Sequence, residues 1–215
     1  MMELPFSHAE FLEVFAAFNT RILPLLILLW AVTAFVFLRL HSGGSQLSRC
    51  VVLLLVVHWG WAGVAYHWLY FAQINPAAPW FGVLFLLQAG LLAWYGLVRR
   101  RLVFVPATSG WPAIGWLFIL SGLAYPFIIL VTDMDYPRLP LFGIPCPTTL
   151  ITIGALLMVP RKQVLPVAVI PIAWALIGGS AAFLFRVWPD LLLFAAAVAL
   201  VVYRLDSGRV ITGRG

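Results

Sequence analysis

The sequence predicts an all-α protein: a polytopic bundle of about seven membrane-crossing helices, N-terminus outside and C-terminus inside, preceded by a short interfacial helix. Three observations carry this reading. Of 215 residues, 64% are hydrophobic and only 9% charged, against roughly 25% charged in soluble domains, so lipid must solvate much of the surface. The apolar residues fall into seven runs, most of them close to the ~20 residues that cross hydrocarbon. Ten of the thirteen Lys and Arg residues share one side if every run spans.

Taken in order, residues 5–19 come first. Ser7 and Glu10 have capping-box spacing, Phe6 and Phe11 stand at hydrophobic-staple positions, and Phe11, Phe15 and Phe18 recur on one helical stripe. An amphipathic helix of this kind belongs in the outer interface. The spans follow at about 22–40, 50–72, 80–98, 111–131, 141–159, 164–185 and 189–203, the last being short. No internal repeat or linker divides residues 1–215, which read as a single integral-membrane domain.

Charge sets the orientation. Arg39, Arg49, Arg99, Arg100, Arg101, Arg161, Lys162, Arg204, Arg209 and Arg214 fall on one side, joined by Asp206 alone among the acids. Arg21, Arg138 and Arg186 fall on the other, with Glu3, Glu10, Glu13, Asp133, Asp135 and Asp190. Basic loops stay in the cytoplasm, so the expected location is the plasma (inner) membrane, with the basic loops and the C-terminus cytoplasmic. The net charge of +6 therefore speaks for membrane orientation and against nucleic acid, because the basic residues are short clusters at the ends of apolar runs. The first twenty residues hold three glutamates and no Lys or Arg, unlike a cleavable signal. Two cysteines, Cys50 and Cys146, give no disulfide framework.

Polar groups inside spans mark candidate sites. The second span carries His58, Tyr66, His67 and Tyr70, with Gly60 and Gly63 leaving room for a close neighbour. His58 and His67 are nine residues apart and point in opposite directions, so they cannot share one metal. Each could instead bond a neighbouring helix, with Gln88 of the third span as a partner for His58. The fifth span is crowded by Pro137, Pro140, Pro145 and Pro147 at its outer end. Proline bars regular helix before about Cys146. A helix over 147–159 would be about 20 Å long against ~30 Å of hydrocarbon. Cys146 would then stand at a helix start inside the membrane, with Thr148 and Thr149 beside it. Non-helical backbone at that depth must be buried in protein or line a cavity.

These residues suggest an outward-facing polar cavity walled by the second, third and fifth spans. It would bind or pass a small solute or a transition metal ion such as zinc or copper. Cys146 and His67 are the candidate metal ligands. Tyr66, Tyr70, Asn75, Asp133, Asp135, Arg138, Thr148 and Thr149 complete the candidate binding set. Membrane lipid is an expected partner, and a membrane or periplasmic protein would be one if the chain were instead a non-catalytic scaffold of a larger complex. A membrane thiol enzyme is a third reading, although no second outer cysteine accompanies Cys146.

Asn75-Pro76-Ala77 matches the aquaporin signature, but one motif without a repeat reads as a turn. Rhodopsins need a lysine in the last span, and the sole lysine is Lys162. The stretches MELPFSHAEFLEVFAAFN, YHWLYFAQINPAAPWFG and YPRLPLFGIPCPTTL carry another resemblance. In them the chain resembles an uncharacterised bacterial multi-pass membrane family known only as a domain of unknown function. That resemblance implies a membrane bundle and imports no activity.

Overall fold

In the computed structural model, residues 5–107 and 109–206 are described. Glu3, Arg209 and Arg214 of the charge pattern lie outside them. Among the described residues helix is the only regular secondary structure, and six helices are long and apolar enough to cross a membrane.

Helix α1, His8–Arg39, is a single 32-residue helix. Two elements were expected here, a separate 5–19 helix and a 22–40 span. Pro24 lies inside α1 and does not divide it, since neighbouring packing in apolar surroundings accommodates a proline. The start is as the sequence indicates: the Ser7 hydroxyl accepts from Glu10 N, and the Glu10 carboxylate accepts from Ser7 N at 2.7 Å. The Phe6 and Phe11 rings stack with centroids 6.1 Å apart. At 1.5 Å per residue α1 is about 48 Å long, well beyond the ~30 Å of hydrocarbon. Its first half packs Phe11 on Phe185, Phe15 on Tyr66 and Phe18 on Tyr70.

Helix α2 runs over Ser45–Trp61 and continues as a wider π-helical stretch, Ala62–Tyr70, ending in a short turn at Gln73. Helix α3, Ala78–Leu92, likewise widens over Ala93–Val98. The two pack closely at Gly63, where an added Cβ would lie 3.1 Å from Gly82 O. Gly60 has no neighbour within 4 Å of such an atom, so of the two glycines only Gly63 makes the approach. Helices α4 (Gly110–Leu130), α6 (Arg161–Phe185) and α7 (Leu192–Leu205, entered through a 3-10 turn at Trp188–Leu191) match expected spans to within a few residues.

The fifth run departs from a full span. Helix α5 covers only Pro145–Leu156, about 18 Å at helical rise. Every α5 residue except Cys146 is buried, the mark of a helix enclosed by others rather than one facing lipid. Pro145 occupies the first turn, where a missing N–H costs nothing. The rest of the path is made by the irregular segment 131–144, whose Leu139, Phe142 and Ile144 are buried. Asn19 of α1 holds that segment in place, its amide donating to Pro137 O at 2.8 Å and Leu139 O at 2.7 Å.

Contacts define two ends. At one, His8 Nε2 donates to Phe185 O at 3.1 Å and Arg138 pairs with Glu13 at 2.6 Å. At the other, Asp206 accepts from Arg161 at 2.7 Å and Trp111 at 3.2 Å, and Phe104 N donates to Ser48 Oγ at 3.2 Å. Arg99, Arg100 and Arg101 are exposed beside this second end.

Candidate functional site

A cavity of about 420 Å³ lies at the first end. Its wall is mostly apolar and carries aromatic rings from several elements: Phe6, Phe11 and Phe15, Phe71, Phe81, Trp174 and Phe185. The rings brace one another. Phe11 stacks on Phe185 at 4.1 Å between centroids, and Phe6 meets Phe71 edge-on at 5.4 Å. The apolar stripe of α1 thus serves as a wall of the cavity, while Glu10, Glu13 and Arg21 on its other face are exposed.

Polar groups collect on one part of this wall: Tyr66, His67, Cys146 and Asp190 all line it. Asp190 is buried and accepts from the Tyr125 hydroxyl at 2.6 Å. Cys146 lies close to Asp190. A methyl placed at Gly178 would stand 3.6 Å from both Cys146 Sγ and Trp174 Nε1, so those two groups of α5 and α6 lie near the same point of the wall. The His67 ring lies 5.1 Å from the Trp174 ring and 4.8 Å from Phe85. His67 is fully buried, and neither of its nitrogens, nor Trp174 Nε1, has a hydrogen-bond partner among the described residues. The bond to a neighbouring helix that His67 was expected to make is therefore not present. A buried polar atom without a partner forfeits roughly 1–3 kcal/mol, and three such atoms belong to two cavity-lining residues, His67 and Trp174.

His58 behaves otherwise. Thr33 Oγ1 donates to Leu29 O at 2.6 Å, so it must accept from His58 Nε2, 2.8 Å away. That places the proton on Nε2 and leaves Nδ1 to accept from Thr148 Oγ1 at 3.4 Å. The expected Gln88 partner is not used: Gln88 Nε2 donates to Val167 O at 2.9 Å. His58 thus cross-links α1, α2 and α5 and does not line the cavity.

Of the ten candidate binding residues, the structure brings four to the cavity, Tyr66, His67, Asn75 and Cys146. The wider π-helical turn of α2 turns Tyr66 and His67 inward together and leaves Tyr70 half-buried against Phe18. Asn75 caps its own turn by accepting from Ala77 N at 2.9 Å. Thr148 is used by His58, and Thr149 bonds back to Pro145 O at 2.8 Å. Asp133, Asp135 and Arg138 are exposed on the 131–144 segment, away from the cavity wall. Helices α2 and α5 do touch, and His67 and Cys146 share the cavity. Among the described residues, however, no three His, Cys, Asp or Glu side chains converge as a metal would require. Sequence reasoning missed Tyr125, Trp174 and the site role of Asp190. Only Asp190 carried a signal, as an acid at the very start of an apolar run.

The architecture among the described residues is a helical bundle in which six helices are long and apolar enough to cross a membrane and a seventh, short one is enclosed among them. The chain belongs to DUF6064, a family of unknown function whose family model matches residues 8–211. No curated protein and no solved structure matches it.

Proposed function

We propose that the protein is a multi-pass plasma-membrane protein whose cavity binds, and passes or presents, a small organic solute. In this reading the arginine-rich end faces the cytoplasm and the cavity lies on the outer side. The observation that carries the reading is His67, fully buried in the cavity wall with both nitrogens unpartnered. Natural proteins retain such a group where a ligand or water completes its bonding. The volume of about 420 Å³ falls within the ~300–1,000 Å³ of small-molecule sites. An organic solute is favoured over a metal ion because, among the described residues, no third ligand joins His67 and Cys146.

His67→Phe separates function from stability. Replacing an unsatisfied imidazole with an apolar ring should leave the melting temperature equal or higher. It should also remove the small molecule that native mass spectrometry detects on mildly extracted wild-type protein. A variant that retains the same bound mass would remove His67 from the site.

A further inference from the structure

The cavity is not sealed on the side of α3 and α6. Ile177 and Leu184 of α6 line it, yet are 40% and 59% exposed. Ser180 lies between them and is also exposed, but its hydroxyl is spent on Ile177 O at 2.7 Å. Across the gap stand exposed Ala77, at the start of α3, and Phe81 one turn later. Ile177 is eight residues before the end of α6, about 12 Å along its axis. In a helix that crosses a bilayer this depth is hydrocarbon, so the opening faces lipid.

We infer that the cavity takes its ligand sideways from the bilayer, through the α3–α6 opening, and that the ligand is a neutral amphiphile with an apolar chain or ring and a hydroxyl or carbonyl head. The inference rests on the small-solute reading and adds its route and chemical class. The aromatic wall suits the apolar part. The unpartnered groups define the head: neutral imidazole offers one donor and one acceptor, and Trp174 Nε1 offers a donor. A hydroxyl or a carbonyl answers that set. A carboxylate or phosphate head does not, because among the described residues no Lys or Arg lines the cavity and Asp190 does, so two anions would share a site with no cation between them.

The test uses the full chain in phosphatidylcholine vesicles and three diazirine photoprobes: a long-chain alcohol, the matching long-chain carboxylic acid, and a short water-soluble alcohol added outside. Adducts are mapped by mass spectrometry. The long-chain alcohol should label Phe15, Phe81 or Trp174, the acid about tenfold less. Ile177→Trp, which fills the opening, should cut cavity labelling about tenfold while leaving adducts at lipid-facing Leu28 and Val198 unchanged. Ala181→Phe, deeper in the same opening, should act alike if Ile177→Trp fails the Leu28 and Val198 control. Cavity labelling by the short alcohol alone would overturn the lateral route and leave the small-solute reading standing. Equal labelling by the acid would overturn the neutral head. Labelling of the outer surface by every probe, and of the cavity by none, would overturn both readings.

Discussion

The tightest joint in the bundle is between α4 and α5, and its strength can be tested by one methyl group. A Cβ on Gly154 would fall 2.5 Å from Gly115 O, 2.8 Å from Ile119 Cγ1 and 3.0 Å from Ile119 N. Two of those atoms are backbone and cannot swing aside. Ordinary contact begins near 3.4 Å, so Gly154→Ala must push α4 and α5 apart by about 0.9 Å (3.4 − 2.5). A gap of 0.5–1 Å forfeits a quarter to a half of each dispersion contact along the joint, and overpacking of this kind costs about 1–3 kcal/mol. Gly90 supplies the opposite sign. An added Cβ there meets nothing within 4 Å, and Gly→Ala in a helix interior stabilises by about 0.5–1 kcal/mol. Denaturation of the purified protein in mild detergent, titrated with a denaturing one, should therefore rank Gly90→Ala above wild type and Gly154→Ala below it. Equal stability of Gly154→Ala and wild type would show that α4 and α5 do not meet through these glycines.

Asn19→Ala should free the 131–144 segment, because its amide is the tie to Pro137 O and Leu139 O. Limited proteolysis of protein in vesicles should cut between Leu130 and Pro145 faster than in wild type, and unchanged cutting would deny Asn19 that role. Thr33→Val removes the acceptor for His58 Nε2–H and should cost about 0.5–2 kcal/mol. In a double-mutant cycle with His58→Phe the second substitution should then cost little more, whereas additive losses would show that the two side chains are not coupled.

The parts of this fold that follow from neighbours in sequence were legible. The capping box at Ser7 and Glu10, the start of α5 around Cys146 and the need for buried irregular backbone ahead of it all depend on residues a few positions apart. One local reading went astray for a physical reason. Residues 5–19 look like a separate interfacial helix because their polar face carries Glu10 and Glu13, but nothing at Thr20–Leu23 terminates a helix, so α1 runs on. In the second span the backbone widens into a π-helix beyond Trp61, and His67 shares the cavity wall with Tyr66 whereas His58 does not line it. The cavity itself was only half visible. Asp190 meets Tyr125 across 65 positions of sequence, and Trp174 reaches His67 from α6. No spacing rule joins residues so far apart, and an aromatic stripe on α1 reads equally well as core packing.

The shortness of α5 also bears on how the chain is made. Twelve residues fall below the ~17 that a single apolar segment needs to span a bilayer, so α5 cannot enter the membrane on its own merit as it leaves the insertion machinery. It must go in alongside α4, whose glycines receive it, with α6 closing behind. The order of synthesis then matters. A chain stopped after residue 156 should leave this segment outside the lipid, and residues 131–144 would reach their place only after α1, holding Asn19 ready, is already there.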